Sequence, residues 1–251
     1  MKILLFLGLL LLTACQASPA VTPRPAASPA RASPTPIPTT PTPTLVPLPT
    51  ITATPPPLYF EEEFETIPAY WSTLYASGGN GRAETYSRYG WLHFELYDAN
   101  TWAYAIFGAH EYESVHIETR IENRASPVNY TGLLCNYNEQ AGWFEFNLSV
   151  DGTYNLLFGQ WLAEDVARYS PILYDTSPYI LADSPINAMG LDCYENTVQL
   201  YFNGKLFRKL DVSRFKLARG KVGLAVASFD DLPVIVAFDW VKVSSIESPS
   251  P

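Results

Sequence analysis

The sequence predicts an all-β domain in which two antiparallel sheets pack face to face. Three observations lead to this fold class. Apolar and polar residues alternate with period two in several short runs, Asp-Gly and Asn-Gly pairs stand between such runs, and no long amphipathic helix is found. Strands that each carry one apolar face must bury it against a second sheet, so a two-layer sandwich is expected.

The chain begins with a segment that is typical of a bacterial export signal. Lys2 supplies one positive charge, residues 3–12 are almost wholly apolar, and Thr13, Ala14 and Cys15 follow. The apolar stretch is too short to cross the roughly 30 Å core of a bilayer. The segment resembles a lipoprotein signal with its lipobox, which implies a signal peptide at 1–14 and a lipidated Cys15. An ordinary secretory signal that happens to contain a cysteine is the alternative.

Residues 15–57 form a low-complexity segment of Pro, Thr, Ala and Ser that holds fourteen of the chain's 22 prolines. Such a composition buries too little apolar surface to offset its ordering entropy, and proline favours an extended polyproline II conformation. The segment is therefore predicted to be a lipid-anchored stalk that holds a folded domain outside the cell membrane. A proline-rich ligand for a partner domain is the competing interpretation.

The composition changes abruptly at residue 58, which predicts a folded domain at 58–245 and a disordered tail at 246–251. All 25 acidic residues but only 13 of the 16 basic residues lie beyond this point, so the domain carries a formal charge near −12. A surface this acidic argues against nucleic acid and anionic membrane surfaces as partners. The sequence indicates nothing about the oligomeric state.

Five runs of alternating residues predict strands: Leu92–Leu96, Val115–Ile121, Trp143–Val150, Val198–Phe202 and Val234–Val243. Asp151-Gly152 and Asn203-Gly204 predict tight hairpin turns, because both turns favour residues that tolerate positive φ. The segment 161–169 is the one place where the sequence is compatible with a single turn of helix.

Cys135 and Cys193 are the two cysteines of the predicted domain. In an oxidising exterior they are candidates for a disulfide, and two buried free thiols are the alternative. The three histidines do not stand at metal-ligand spacing to either cysteine, so no metal site is predicted from them. Asp230 and Asp231, which share one turn, are weak candidates for calcium ligands, and no other cofactor is expected.

Seven short segments carry a resemblance to a known family: Gly132–Cys135, Gly142–Phe146, Asp151–Tyr154, Leu191–Cys193, Val198–Gly204, Lys221–Leu224 and Phe238–Val241. Their order resembles the concanavalin A-like lectin/glucanase jelly roll, in its laminin-G-like and 3-keto-disaccharide-hydrolase-like branch. The resemblance covers about 59–244 and implies an exported lipoprotein with such a domain on a stalk. The cysteine pairing fits those proteins too. Because the fold hosts lectins, hydrolases and adhesion modules, it implies no particular activity.

A glucanase of this fold would carry two carboxylates on one strand, in the pattern Glu-x-Asp-x-x-Glu. A retaining glycosidase needs its two carboxyl groups about 5 Å apart. In Glu145-Phe146-Asn147 an amide replaces the second acid, and no third acid follows. The sequence therefore predicts no catalytic residue, and the enzyme hypothesis is the weaker one.

The remaining candidates are outward-facing aromatic and polar side chains that suit a carbohydrate. Aromatic rings stack on the apolar face of a sugar, while amides and carboxylates hydrogen-bond its hydroxyl groups. The candidate carbohydrate-binding residues are Asn136, Trp143, Glu145, Asn147, Trp161, Gln199 and Tyr201. If they form one exposed site, Trp143→Ala abolishes glycan binding with little loss of stability. Aromatic residues that only cover their neighbours are the alternative.

Together these features predict a cell-surface lipoprotein whose non-catalytic β-sandwich domain binds carbohydrate or another extracellular ligand. Two other hypotheses stay open. One is a glycoside hydrolase of the 3-keto-disaccharide type, and the other is a protein-binding adhesion or structural module.

Overall fold

The computed structural model describes residues 56–77, 82–125, 128–149, 151–178, 180 and 186–246, all within one compact unit. The predicted signal peptide, Cys15, the stalk up to residue 55, Val150 and the tail beyond Ile246 lie outside the described residues. The strands are β1 (Phe60–Glu62), β2 (Trp71–Ser77), β3 (Ala83–Arg88), β4 (Trp91–Leu96), β5 (Thr101–Tyr112), β6 (Ser114–Asn123), β7 (Asn129–Asn138), β8 (Gly142–Leu148), β9 (Thr153–Ala163), β10 (Val166–Thr176), β11 (Ile186–Tyr194), β12 (Thr197–Phe202), β13 (Lys205–Asp211), β14 (Gly220–Ser228) and β15 (Val234–Ser244). A single turn of 3₁₀ helix, Ser213–Phe215, precedes β14.

The strands form two antiparallel sheets, as the sequence predicts. One sheet has eight strands in the order β13-β12-β11-β6-β15-β4-β3, with β1 paired to the far end of β15. The other has seven strands in the order β10-β9-β8-β7-β14-β5-β2. The all-β sandwich is therefore confirmed.

The period-two alternation places the predicted apolar faces between the two sheets. Phe144, Phe146 and Leu148 of β8 and the corresponding residues of β12, such as Leu200 and Phe202, are all at most 1% exposed and belong to one core cluster. Each fully buried side chain of this size stabilises the fold by roughly 1.5–3 kcal/mol relative to an exposed one. The next residue along each of these strands faces away from this core.

The predicted Asn203-Gly204 hairpin joins β12 to β13. Asn203 has φ 46° and Gly204 has φ 74°, the two positive values that a tight hairpin turn of this kind requires. Asp151-Gly152 lies between β8 and β9, and the Asp151 carboxylate accepts a hydrogen bond from the Thr153 backbone N–H at 2.9 Å. Both turns therefore fall where the sequence predicts them.

Cys135 and Cys193 form a disulfide, which confirms the first of the two alternatives. Cys135 lies on β7 of the seven-stranded sheet and Cys193 on β11 of the eight-stranded sheet, with a Cα–Cα distance of 6.4 Å. Both residues are at most 2% exposed. The bond therefore links the two layers of the sandwich through the core.

The segment 161–169 is not helical. It is the β9–β10 hairpin, in which Val166 pairs with Ala163 and Asp165 adopts φ 57° in the turn. Aspartate tolerates this left-handed conformation better than most residues do, which lets the chain reverse within two residues.

The seven-stranded sheet is strongly curled. Tyr104 on β5 and Tyr169 on β10 bring their hydroxyl oxygens to 2.5 Å although four strands lie between them. In a flat sheet β5 and β10 would stand about 24 Å apart, which two tyrosine side chains cannot bridge. Cα atoms of the edge strands β10 and β2 also come within 8 Å of each other. The sheet thus wraps around its own outer face, the one turned away from the sandwich core.

Candidate functional site

The seven predicted carbohydrate-binding residues do not form one site. Trp143, Glu145 and Asn147 on β8 and Trp161 on β9 share the outer face of the curled sheet. Asn136 lies in an irregular part of β7. The last two, Gln199 and Tyr201, lie on β12 of the other sheet. The structure therefore divides the predicted set among three places.

The first place is a second apolar cluster inside the curl, here called the curl cluster. Its main members are Ala76, Tyr104, Ile106, Leu134, Tyr137, Trp143 and Ala225, with Trp102, Trp161 and Tyr169 packed against them. The expectation that Trp143, Glu145 and Asn147 are exposed is wrong, because each is at most 1% exposed. The reason is the curl, since β10 and β5 fold their aromatic side chains over β8.

Trp143 is the centre of the curl cluster. Its ring lies 5.2 Å from that of Trp161 and 5.7 Å from that of Tyr104, measured between centroids. It also lies directly on the Gly159 backbone, where a Cβ atom would come within 2.3 Å of the Trp143 ring. Trp143 therefore has no free face on which a sugar could stack.

Glu145 is a fully buried carboxyl group held by neutral donors. Trp143 Nε1 donates to it at 3.0 Å, Asn147 Nδ2 at 2.8 Å and the Tyr104 hydroxyl at 3.2 Å. Burial raises the pKa of Glu145, and these hydrogen bonds lower it without cancelling the rise. The protonated acid also fits the contacts, because Glu145 Oε2–H then donates to Tyr104, which donates to Tyr169.

The arrangement around Glu145 is unsuited to glycosidase chemistry. Asn147 occupies the next position on the same face of β8, and its amide nitrogen is shared between Glu145 and Asn155. A second carboxylate at that position is what the paired-acid mechanism requires. The structure thus agrees with the sequence in giving Glu145 no acidic partner on its strand.

Asn136 is structural in its contacts. It adopts φ 52°, is 4% exposed, and donates from Nδ2 to the Leu217 carbonyl at 3.0 Å. The backbone of Gly220 packs so closely on Asn136 that a Cβ atom there would come within 2.3 Å of it. The expectation that Asn136 is open to a ligand is therefore wrong, because the chain before β14 covers it.

The third place is an open pocket on the outer face of the eight-stranded sheet, here called the outer pocket. Its volume is about 1030 Å³, at the upper end of the range for ligand sites. The residues that line it are Glu113, Ser114, Asp192, Tyr194, Glu195, Gln199, Tyr201, Lys209, Ala218 and Ile246. The neighbouring strands β6, β11, β12 and β13 supply most of them.

A chain of hydrogen bonds runs across the floor of the outer pocket. The Tyr201 hydroxyl lies 2.6 Å from Asp192 Oδ2 and 2.8 Å from the Gln199 amide, and that amide lies 2.7 Å from the Tyr194 hydroxyl. The Tyr201 hydroxyl points to two acceptors, Asp192 Oδ2 and Gln199 Oε1, while Gln199 Nε2 donates to the Tyr194 hydroxyl.

His116 stands behind Asp192 and between two carboxylates. Its Nδ1 lies 2.5 Å from Asp192 Oδ1, and its Nε2 lies 3.6 Å from Glu118 Oε2. Burial lowers the pKa of His116, but the hydrogen bond and charge of Asp192, with Glu118 in support, outweigh this, and the net pKa is raised. Since each ring nitrogen faces a carboxylate, His116 is placed to hold Asp192 rather than to accept a proton from a substrate.

Sequence reasoning finds Gln199 and Tyr201 but misses Asp192, Tyr194 and His116 as their neighbours. The alternation of β11 does carry a signal, because Leu191 and Cys193 face the core and so Asp192 and Tyr194 face outward. What the sequence does not contain is the order β6-β11-β12, which brings His116 and Tyr201 to opposite sides of Asp192.

The described residues hold neither a group of metal ligands nor a membrane-spanning helix. Among these residues, no three His, Cys, Asp or Glu side chains are grouped so that they could hold a metal ion, and the turn with Asp230 and Asp231 is included in that finding. The described part of the chain contains no helix long and apolar enough to cross a membrane.

No family model matches the chain, and no curated protein matches it. Solved structures do. A prokaryotic β-1,3-1,4-glucanase (lichenase) derived from a mouse hindgut metagenome matches with TM-score 0.54 and 13% identity, over 75% of this chain and 99% of that chain. The GH16 protein of the Bacteroides ovatus mixed linkage glucan PUL gives 0.53 and 12%, over 74% and 99%. Endo-β-1,3-glucanase from Pyrococcus furiosus gives 0.53 and 15%, over 75% and 94%.

These GH16 glucanases have the concanavalin A-like jelly-roll fold, and the chain shares that fold with them. At identities this low the likeness concerns the fold alone. The finer assignment to the laminin-G-like and 3-keto-disaccharide-hydrolase-like branch stays a prediction.

Proposed function

We propose that this protein is an exported, lipid-anchored surface protein whose non-catalytic jelly roll binds carbohydrate in the outer pocket. In this proposal Cys15 carries the lipid and residues 15–57 are the stalk. Tyr194 and Tyr201 supply rings for the apolar faces of sugars, while Asp192 and Gln199 hold and orient those rings.

The observation that carries the proposal is the contrast between the two outer faces. The face with Glu145 is filled by the curl cluster and leaves no room for a polysaccharide. The outer pocket is open and places Tyr194, Gln199 and Tyr201 together over about 1030 Å³. Aromatic rings beside fixed polar groups are the combination that recognises a molecule with both C–H faces and hydroxyl groups.

Two further observations support a carbohydrate ligand without catalysis. The jelly roll is shared with glucanases, one of which is solved in complex with a G4G4G3G product. Glu145 has no acidic partner on β8 and lies out of reach of solvent, so the paired-carboxylate reaction has no place to occur there.

The proposal is tested with the full-length protein in detergent, screened against neutral, amino and acidic polysaccharides by affinity electrophoresis. Release of reducing ends is measured in the same samples. We expect retardation by at least one polysaccharide and no release. Tyr194→Ala is expected to weaken binding about fivefold to thirtyfold, because stacking on one ring contributes on the order of 1–2 kcal/mol.

Tyr89→Ala is the matched control, since Tyr89 is 84% exposed in a turn remote in sequence from the pocket strands. Equal weakening by both variants, or no binding to any polysaccharide, contradicts the proposal. Release of reducing ends contradicts its non-catalytic part. The anchor is checked separately with Cys15→Ser, which should move the protein from the membrane fraction to the soluble fraction.

A further inference from the structure

The charges around the outer pocket indicate which class of carbohydrate it accepts. Among the described residues that line it, three are acidic, namely Glu113, Asp192 and Glu195, and Lys209 is the one basic residue. Just outside, Arg219 lies 3.2 Å from Glu111 and 3.9 Å from Glu113, so Glu113 is partly balanced by a cation that it shares. The pocket as a whole is acidic.

Two of these carboxylates lack a permanent cationic partner in the described part of the chain. Glu195 makes no ion pair within 4 Å there, and it is exposed in the turn between β11 and β12. Among the described residues, Asp192 is paired only with His116, which is charged only when protonated. Glu118, on the far side of His116, has Lys242 at 3.7 Å.

The hydrogen-bonding groups of the outer pocket also favour a donor ligand. The Tyr201 proton is directed to Asp192, so this hydroxyl offers its lone pairs to a ligand, whereas the Tyr194 hydroxyl accepts from Gln199 Nε2. The free oxygens of Glu113 and Glu195 are acceptors as well. An amino group, with three protons and a positive charge, meets these groups better than a carboxylate or sulfate does.

The Tyr194 ring shows in addition that the site tolerates a cation. Lys209 Nζ lies 5.9 Å from the centre of this ring, within the range of cation–π attraction. The ammonium group of Lys209 thus occupies part of the space that a cationic ligand would use. A ligand amine would compete with Lys209 for the same ring.

We propose that the outer pocket is selective for glycans that carry free amino groups, that is, for polymers with unacetylated amino sugars. This inference rests on the proposed function, since it specifies the ligand class of the same site. Uronic acid and sulfated polymers are disfavoured because they bring a negative charge close to Glu195 and Asp192. Neutral and N-acetylated glycans bind with intermediate affinity.

The test compares three oligosaccharides of equal length by titration calorimetry: a glucosamine oligomer, its N-acetylated form and a galacturonate oligomer. The full-length protein in detergent is used at a pH at which the sugar amine is protonated. We expect the amine to bind about fivefold more tightly than the N-acetylated oligomer, the size of one favourable charge contact at a surface. Added salt should remove much of that preference.

Two variants should move the amine affinity in opposite directions. Glu195→Gln removes an attractive charge and should weaken amine binding, whereas Lys209→Gln removes the competing ammonium and should strengthen it. Glu164→Gln, in the turn between β9 and β10 of the other sheet, is the matched control and should change nothing.

The outcomes separate this inference from the proposed function. If neutral or acidic oligomers bind as tightly as the amine, the selectivity is refuted while carbohydrate binding in the outer pocket stands. If none of the three oligomers nor any neutral polysaccharide binds, both are refuted. If the amine is preferred but neither Glu195→Gln nor Lys209→Gln alters the preference, the selectivity does not arise in this pocket.

Discussion

At the scale of single residues, Glu145 differs most from what its sequence context indicates. A glutamate on a strand of this fold invites a catalytic interpretation, yet its donors are two side chains of its own strand, Trp143 and Asn147, and the Tyr104 hydroxyl. No cation is among these donors. The residue therefore acts as a buried hydrogen-bond acceptor, and its ionisation is opposed by its surroundings.

Glu145→Gln tests this role through the pH dependence of stability. A carboxyl group whose folded pKa is raised stabilises the fold below its unfolded pKa, and that contribution is lost as the pH rises through the folded pKa. Glutamine cannot ionise. The free energy of unfolding of the wild type, relative to the variant, should therefore fall as the pH rises from acid to neutral.

Urea unfolding at a series of pH values measures this difference. We expect the variant to be less stable than the wild type at acid pH, because its amide nitrogen cannot accept the hydrogen bond from Trp143 or Asn147, and this deficit should narrow as the pH rises. Glu145→Ala, by contrast, should cost about 2 kcal/mol or more at every pH, because it leaves the Trp143 and Asn147 donors unsatisfied. A difference between wild type and Glu145→Gln that does not vary with pH would show that Glu145 does not change its protonation in this way.

At the scale of elements, β10 decides whether the outer face of the seven-stranded sheet is open. Its Tyr169 stacks on Trp102 at 4.7 Å between ring centroids and contacts the Tyr104 hydroxyl. Both partners lie on β5, on the far side of the sheet. The curl is thus held by contacts between side chains of β10 and β5. Backbone hydrogen bonds between neighbouring strands would not by themselves bring these two strands together.

Tyr169→Ala removes these contacts and should destabilise the protein by about 3 kcal/mol, as is usual when a large aromatic side chain is lost from a packed cluster. It should also increase the hydrogen exchange of β10 amides relative to those of β8. Tyr169→Phe keeps the ring and removes only the hydroxyl, so it should cost no more than about 1 kcal/mol. Equal losses for the two variants would mean that the ring does not hold the curl.

The elements themselves were largely predictable, because alternation and turn residues are local signals. Such signals alone predict that Phe144 and Phe146 lie in the core and that Asn203-Gly204 forms a hairpin turn, as the structure has them. The curl of the seven-stranded sheet was not predictable, because it depends on contacts such as that of Tyr104 with Tyr169, which are 65 residues apart. The period-two alternation of β8 predicts that Trp143 faces away from the sandwich core. The same alternation is expected whether the outer face is open to solvent or buried in a second cluster, so it does not predict the curl cluster.

At the scale of the whole molecule, the Cys135–Cys193 bond ties the two sheets together across a loop of 58 residues. In the loop-entropy model, a loop of this length contributes about 4 kcal/mol by restricting the unfolded chain. Replacing both cysteines by alanine should lower the free energy of unfolding by an amount of that order.

Urea unfolding of the double variant, with the wild type measured in oxidised and reduced form, checks this value. Carbohydrate binding should persist below the lowered midpoint, because Cys193 is turned to the core while Asp192 and Tyr194 face the outer pocket. A double variant as stable as the oxidised wild type would show that the bond does not stabilise the fold.

The outer pocket illustrates what a sequence leaves open at this scale. Gln199 and Tyr201 stand two residues apart on one strand and are found by alternation, but His116 and Asp192 are 76 residues apart and meet only through the pairing of β6 with β11. The predicted carbohydrate site also groups Gln199 with Trp143, because no local sequence signal shows that β12 and β8 belong to different sheets.

The approach of β10 to β2 has a further consequence when many copies of the molecule are crowded together. An open sheet ends in two strands with unpaired N–H and C=O groups, and such edges recruit strands from neighbouring molecules. Here the two edges of the seven-stranded sheet come within 8 Å of each other, and side chains from both line the gap between them. Each edge thus shields the other, so crowded copies have less bare backbone through which to aggregate.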